Sequence, residues 1–509
     1  MFVRKKPNKS GIISVQIIDK SSGRYKVVKT IGSSSDPETV NTLVREGKRW
    51  IESKKGQVDI FSEYDKMREE EEVVKHLFSN VEKVLINGSQ IILEKVYKKI
   101  GFHTVNDDIL KYLVISRLSQ PMSKSATVEY LKAYFDEDIH YQKIYRYMDR
   151  LNTHEQKELQ RISVEHTREI LGGSIGLVFY DVTTLYFESD HADSLREKGF
   201  SKDGKHSHVQ IVLGLLVSSG GYPLSYSIFN GSQFEGRTML PVVEDFIQQF
   251  KLKDFVIVAD SGLMSKTNIA LLDSAGYKYI IGARIKNEGK KLKDWILSLE
   301  KEEGVFYEYA KQQGRLIIGY SIKRAKMDAY NREKGINRLK AAFKSGKINK
   351  ENINKRGYNK FLEITKDIDV SINEQKIIED QKWDGLKGYF TNTNLSPRAV
   401  YEQYSGLWMI EKAFRVTKGT IELRPMFHFT PKRIQTHVAI CFVAYKVYKE
   451  LERIMKIKKI DLSADKVLEI AKTVTTIKIK LPVSGKTITQ TMLLTDRQKL
   501  IEKLINEPI

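Results

Sequence analysis

A chain of 509 residues that is 41% hydrophobic and 29% charged, with only 10 prolines, has the balance of a folded protein and excludes a disordered or fibrous one. No apolar run is long enough to span a bilayer, the Met1-Phe2-Val3-Arg4 start lacks a secretory signal, and the single cysteine, Cys441, excludes an intrachain disulfide. Lys and Arg number 85 against 64 Asp and Glu, so the formal charge of +21 points to a polyanion such as nucleic acid, with lysine-rich base composition as the competing cause.

Residues 12–32 predict a β-hairpin around Ser21-Ser22-Gly23. From Asp36 to Leu171 the apolar residues recur at three- and four-residue spacing, as in Leu110, Leu113, Val114 and Leu118, which predicts an all-helical unit. Ile175–Tyr180, Val209–Val217 and Tyr222–Phe229 then read as a three-strand meander. A helix over Thr238–Phe250, a buried strand at Phe255–Ala259, a helix over Lys266–Ser274 and a strand at Tyr277–Gly282 follow, giving a mixed α/β sheet. Residues 285–383 read as an irregular, charged insertion. Gly388–Thr391 returns as a strand, Pro397 opens one long helix to about Thr417, and the C-terminal part holds a helix over Val438–Leu451 and a hairpin over Thr475–Leu494. The expected organisation is a β cap over 1–60, a helical, DNA-binding unit over 61–171, and a catalytic domain over 172–284 and 384–450. A basic insertion over 285–383 interrupts that domain, and a C-terminal segment over 451–509 follows it.

Two apolar strands end in carboxylates, Tyr180-Asp181 and Ala259-Asp260. If these strands are neighbours, both acids emerge at one sheet edge, and a hard divalent cation, Mg²⁺ or Mn²⁺, relieves their repulsion. The competing reading is that Asp260 caps the helix after it. Further on, Tyr404, Glu411 and Lys418 recur every seventh residue and so share one face of a helix. An incidental charge pair on a solvated face is the alternative there.

The meander, the two aspartates and the Tyr404-x2-Leu407-x3-Glu411-x6-Lys418 frame resemble the catalytic domain of DDE transposases, in particular the bacterial insertion-sequence-four superfamily and its sixteen-thirty-four group. Ser116–Lys124, Tyr180–Glu188, Gly199–Lys205 and Arg433–Phe442 carry the same resemblance, which covers roughly 85–450. It implies an RNase H-like mixed sheet with flanking helices and an insertion, behind a mainly helical N-terminal domain. It also implies metal-dependent DNA cleavage and strand transfer in cut-and-paste transposition, with Asp181, Asp260 and Glu411 as catalytic ligands of two Mg²⁺ or Mn²⁺ ions. The implied partners are double-stranded DNA, as transposon ends and target, and a second copy of the chain as a homodimer on DNA; the implied location is the bacterial cytoplasm at the nucleoid, with no membrane. Tyr404, Lys418 and Lys202 are expected to contact DNA. Leu407 departs from the arginine common at its place in the family, and Arg415, one turn after Glu411, is the expected substitute. A two-metal nuclease that does not join DNA, and a catalytically inactive DNA-binding descendant, are the alternatives.

Residues 323–360 hold 13 Lys or Arg against three acids, a concentration expected to follow a phosphate backbone, with Lys340 and Lys344 among its contacts. Ser484-Gly485-Lys486-Thr487 looks like the end of a phosphate loop but lacks the first glycine and reads as a hairpin turn. His206, His208, His428 and His437 carry no assigned role.

Overall fold

The structure, a computed structural model, describes all residues except 10, 56–59, 106, 152, 189–190, 201–206, 234–236, 251, 253, 264, 346–356, 365–369 and 425. It divides into two compact units, Met1–Val84 with Thr476–Gln490, and Leu85–Thr475 with Thr491–Ile509.

In the first unit, β1 (Phe2–Pro7), β2 (Ile13–Asp19) and β3 (Lys26–Ser34) form an antiparallel sheet in that order, so the expected hairpin gains a third strand. Helix α1 (Pro37–Lys55) starts at Asp36, whose Oδ2 accepts from the Thr39 amide at 2.8 Å, and Pro37 occupies the first turn, where no amide is needed. Helix α2 (Ile60–Ser79) and strand β4 (Val81–Leu85) follow, and β4 pairs with the strand Thr475–Lys480, itself paired with Thr487–Met492. The segment from 36 to 171 is therefore not all helical. Strand β4 takes its ladder from residues nearly 400 positions away, which no local periodicity announces. The Ser484–Thr487 stretch is a hairpin turn, closed by the Gly485 amide on the Leu481 carbonyl at 2.9 Å, with Gly485 at φ +65°.

The second unit opens with helices α3 (Gly88–Ile100), α4 (Asp108–Ser119), α5 (Lys124–Tyr130), α6 (Tyr141–Arg150) and α7 (Thr153–Ile170). A nine-stranded mixed sheet follows, made of β5 (Leu177–Tyr186), β6 (Glu197–Lys198), β7 (Val209–Ser218), β8 (Pro223–Asn230), β9 (Val256–Ala259), β10 (Lys278–Ala283), β11 (Phe306–Lys311), β12 (Gly314–Tyr320) and β15 (Leu386–Thr391). Helices α8 (Met239–Phe250) and α9 (Lys266–Ser274) form the crossovers to β9 and β10. Strand order is β11-β12-β15-β10-β9-β5-β7-β6, with β8 also on β7. Strands β5, β7 and β8 are antiparallel, whereas β9 and β10 run parallel to β5, the arrangement of an RNase H-like sheet.

The described part of 285–383 is not irregular. It holds α10 (Lys290–Ser298), the β11–β12 hairpin, α11 (Ile322–Lys344), a small pair β13 (Leu362–Ile364) and β14 (Val370–Ile372), and α12 (Glu374–Gln381). Its hairpin extends the main sheet, because β12 pairs with β15 from Arg315↔Thr391 to Tyr320↔Leu386. The surrounding charge hid the alternation Phe306, Glu308, Ala310 against Tyr307, Tyr309, Lys311.

Helices α13 (Pro397–Ser405), α14 (Trp408–Lys418), α15 (Pro431–Ile457) and α16 (Ala464–Ala471) complete the unit. Alternation along β5 divides the core. Val178, Tyr180 and Val182 pack with α8 and α9 residues such as Val242, Phe246 and Leu272 on one face. Phe179 turns to the other face, toward Val400, Tyr404 and Ile410 of α13 and α14 and the nearly continuous apolar surface of α15. No described helix is long and apolar enough to cross a membrane.

Candidate active site

Asp181 is not at the end of its strand, as the sequence suggests, but in the middle of β5, whose pairing with β7 continues to Tyr186↔Gln210. What ends near Asp181 is the parallel pairing with β9, whose last pair is Tyr180↔Ala259. Asp181 and Asp260 are therefore the next residues along two neighbouring parallel strands. Asp181 is half-buried, on the Phe179 side of β5, and its Oδ1 accepts from the Val182 amide at 2.8 Å. Asp260 is exposed and reaches toward the same helices, since its Oδ1 accepts from the Tyr404 hydroxyl at 3.1 Å.

Two glycines allow this approach. A Cβ at Gly282 on β10 would meet the Tyr404 hydroxyl oxygen at 2.5 Å, so only glycine leaves the phenol its route across β10 to Asp260. A Cβ at Gly406 would meet the Phe179 ring at 2.6 Å. Gly406 is also where the expected single helix breaks: amides of Gly406, Leu407 and Met409 bond to carbonyls three residues back, tightening the chain between α13 and α14. Tyr404 thus sits on α13, while Glu411 and Lys418 sit on α14, and the three do not share one continuous helix.

Asp260, Tyr404 and Glu411 line one cavity of about 520 Å³, together with Lys387, Arg324 and Trp408. Lys387 on β15 was not anticipated. Its ammonium lies 4.4 Å from the Tyr404 ring centre and 5.9 Å from that of Tyr389. Burial, with the Arg324 charge, lowers its pKa, while Asp260 and Glu411 pull it upward. A lysine within the short apolar strand Leu386–Thr391 was the available signal. Burial pushes the Tyr404 phenol upward, and the Asp260 carboxylate adds to the shift, so Tyr404 stays a neutral donor.

Asp181 is not among the residues lining that cavity. Among the described residues no three His, Cys, Asp or Glu side chains are gathered closely enough to hold a metal ion. Two neighbouring aspartates offer the oxygen donors that a hard divalent cation takes, which fits Mg²⁺ or Mn²⁺; Glu411, exposed on α14, is grouped with Asp260 only through the cavity. Arg415 is exposed one turn beyond Glu411, and Lys418 is half-buried in the last turn of α14. Lys340 and Lys344 are exposed on α11. Two other cations of the basic segment have structural partners, Arg332 in a paired contact with Asp384 at 2.5 and 2.6 Å and Lys360 on Asp380 at 2.8 Å. Lys202 and His206 lie outside the described residues.

The transposase DDE domain family matches residues 172–446. Among solved structures, a piggyBac transposase synaptic complex with hairpin DNA is similar at 9% identity, covering 72% of this chain and 70% of that chain with a TM-score of 0.38. A Mos1 transposase paired-end complex with the left transposon end is similar at 9% identity over 34% of this chain and 57% of that one, with a TM-score of 0.16. No curated protein matches the chain.

Proposed function

This chain belongs to the transposase DDE domain family, and we propose that it is a cut-and-paste transposase of the insertion-sequence-four superfamily, sixteen-thirty-four group, that cleaves and rejoins double-stranded DNA. The observation that carries this reading is the β5–β9 register, which sets Asp181 and Asp260 side by side under α13 and α14. Asp181, Asp260 and Glu411 would hold two divalent ions. When bound, such ions supply Lewis-acid activation of an attacking oxygen and stabilisation of the leaving 3′ oxygen.

The side chains prepare that chemistry. The Tyr404 hydroxyl bonds Asp260 Oδ1 and fixes the carboxylate while leaving Oδ2 for another partner. Lys387, half-buried against the Tyr404 ring, offsets the repulsion between Asp260 and Glu411. Lys418 and Arg415 contact phosphates flanking the scissile bond, and Lys340, Lys344 and Lys202 follow the backbone further out. Water attacks first and a DNA 3′-hydroxyl second, each by in-line displacement at phosphorus. The DNA partners are the transposon ends and the target, held by a homodimer.

Incubation of the purified chain with its flanking DNA ends and Mg²⁺ tests the reading. Asp181→Asn, Asp260→Asn and Glu411→Gln should each abolish cleavage and strand transfer while leaving the melting temperature and end binding close to wild type. Full cleavage by any one variant removes that residue from the assignment, and nicking without joining by the wild type makes the protein a nuclease instead.

A further inference from the structure

Two cations of the second unit are buried with no anion among the described residues to balance them. Arg117, in the last turn of α4, is 8% exposed, and Lys124, the first residue of α5, is 6% exposed. Among the described residues neither side chain has a hydrogen bond or an ion pair. Their surroundings are two imidazoles and a thiol. The rings of His428 and His437 lie 5.0 Å apart, and His437 Nε2 is 3.8 Å from Cys441 Sγ. Burial, then Lys124 and Arg117, pushes His428 down to about 3 and His437 down as well, so both rings are neutral near pH 7. Burial, then Arg117, lowers Lys124 to about 7. Among the described residues, the side-chain charges acting most on Lys124, His428, His437 and Cys441 include Arg117, Lys124 and Arg433, with no carboxylate among them. Asp149 on α6 is already taken, by a two-point contact with Arg433 at 2.6 and 2.7 Å. Folded proteins seldom bury cations in this way unless an anion relieves them.

The second observation is at the surface. His428 is flanked by Phe427 and Phe429, 67% and 66% exposed, in the loop that follows the Lys418 end of α14. Arg424 of the same loop lies over the Tyr186 ring at 5.6 Å, and Tyr186 ends the strand that carries Asp181. Cations without anions call for phosphate, and exposed rings on either side of His428, which feels both cations, suit the faces of nucleobases better than a small inorganic ion. These residues fall in Ser116–Lys124 and Arg433–Phe442 and in the loop before the latter, stretches that the carboxylate chemistry leaves unused.

We propose that Arg117 and Lys124 form a binding site for a phosphodiester group of the DNA strand, with Phe427 and Phe429 as a stacking surface beside it. This rests on the DNA-cleaving reading for its ligand. The full chain is melted in sodium chloride and in sodium phosphate at equal ionic strength, and its binding to an element-end duplex is measured across a salt series. The wild type should melt higher in phosphate. Arg117→Gln with Lys124→Met should lose that shift, melt higher than wild type in chloride, and flatten the log K against log salt plot by about 0.9 for each lost contact. Phe427→Ala with Phe429→Ala should weaken DNA binding and keep the phosphate shift. The site is overturned if the wild type shows no phosphate shift, or if the cation variant melts lower in chloride and binds DNA with an unchanged slope. A phosphate shift with an unchanged DNA slope also overturns it, since the site then serves a free anion. Wild-type cleavage in Mg²⁺ is scored in parallel: its absence alongside the phosphate shift and slope change defeats the catalytic reading and leaves this site standing.

Discussion

Two buried lysines of the second unit show opposite ways of handling a charge. Lys446 on α15 is fully buried, and its ammonium donates to the Ser163 carbonyl at 3.0 Å and to the Thr167 hydroxyl, while Glu450 one turn on draws its pKa upward against burial. Glu450 in turn accepts from Arg453 at 2.6 and 2.8 Å and faces His166 at 3.6 Å. Lys124, also buried though not completely, has Arg117 for a neighbour instead of an acid. The difference separates structure from function: a charge that the fold satisfies holds α7 against α15, and one that it leaves unsatisfied waits for something from outside.

The sharpest break of this comparison is Glu450→Ala. Burial alone would push this carboxyl up, yet hydrogen bonds from Arg453 and His166 hold it down at about 2. Its removal leaves Lys446, Arg453 and His166 without their anion, and unfolding in urea should show a loss of about 3–5 kcal/mol. A loss under about 1 kcal/mol would make the network ornamental and remove the contrast with Lys124.

A smaller effect appears in the dependence on pH. Lys124 and Lys446 both sit at about 7 in the folded chain, below the ordinary lysine value of 10.5. A lowered lysine binds its proton more tightly when unfolded, so its charge opposes folding at low pH and that opposition fades as pH rises from about 7 toward 10.5. The melting temperature should therefore climb between about pH 7 and 9.5, before unfolded phenols ionise and reverse the trend through buried Tyr97 and Tyr226, whose values are raised by burial. The gain is on the order of a few kcal/mol for each lysine. Lys124→Met and Lys446→Met should each flatten the climb to a similar extent, because both lysines sit at about 7. A climb that neither variant flattens would show that neither lysine is lowered by burial.

The elements that sequence made visible are those whose partners are near in the chain or whose pattern is strong. The β5, β7, β8 meander and the apolar β9 read directly from alternation and continuous hydrophobic runs, whereas the adjacency of β5 and β9 entered only as a condition that the pairing meets. Long-range pairing was invisible. Strand β4 pairs with residues near the C-terminus, and the β11–β12 hairpin lay hidden among charges. At the site, Asp181 and Asp260 were legible because an acid inside or after an apolar strand has no packing role. Lys387 had a local signal in its apolar strand, but Arg117 and Lys124 had none, since their meaning depends on what surrounds them in space and a cation in a lysine-rich chain carries no local mark.

The same logic extends to lysines that need no partner because water serves them. Helix α11 carries both kinds of cation: Arg332, buried and bound to Asp384, and Lys340 and Lys344, exposed on its surface. Exposed charges cost nothing to leave unpaired, so exposure alone does not distinguish a DNA contact from a solvated face. Lys340→Gln with Lys344→Gln should leave stability within about 0.5 kcal/mol of wild type, in contrast to every buried change above. If α11 follows the DNA backbone, the same pair should lower the salt slope of binding by up to about 0.9 per lysine and weaken all sequences alike. If the slope is unchanged, α11 is a solvated surface. The backbone contacts would then have to come from cations such as Arg117 and Lys124, whose burial without an anion already implies a ligand.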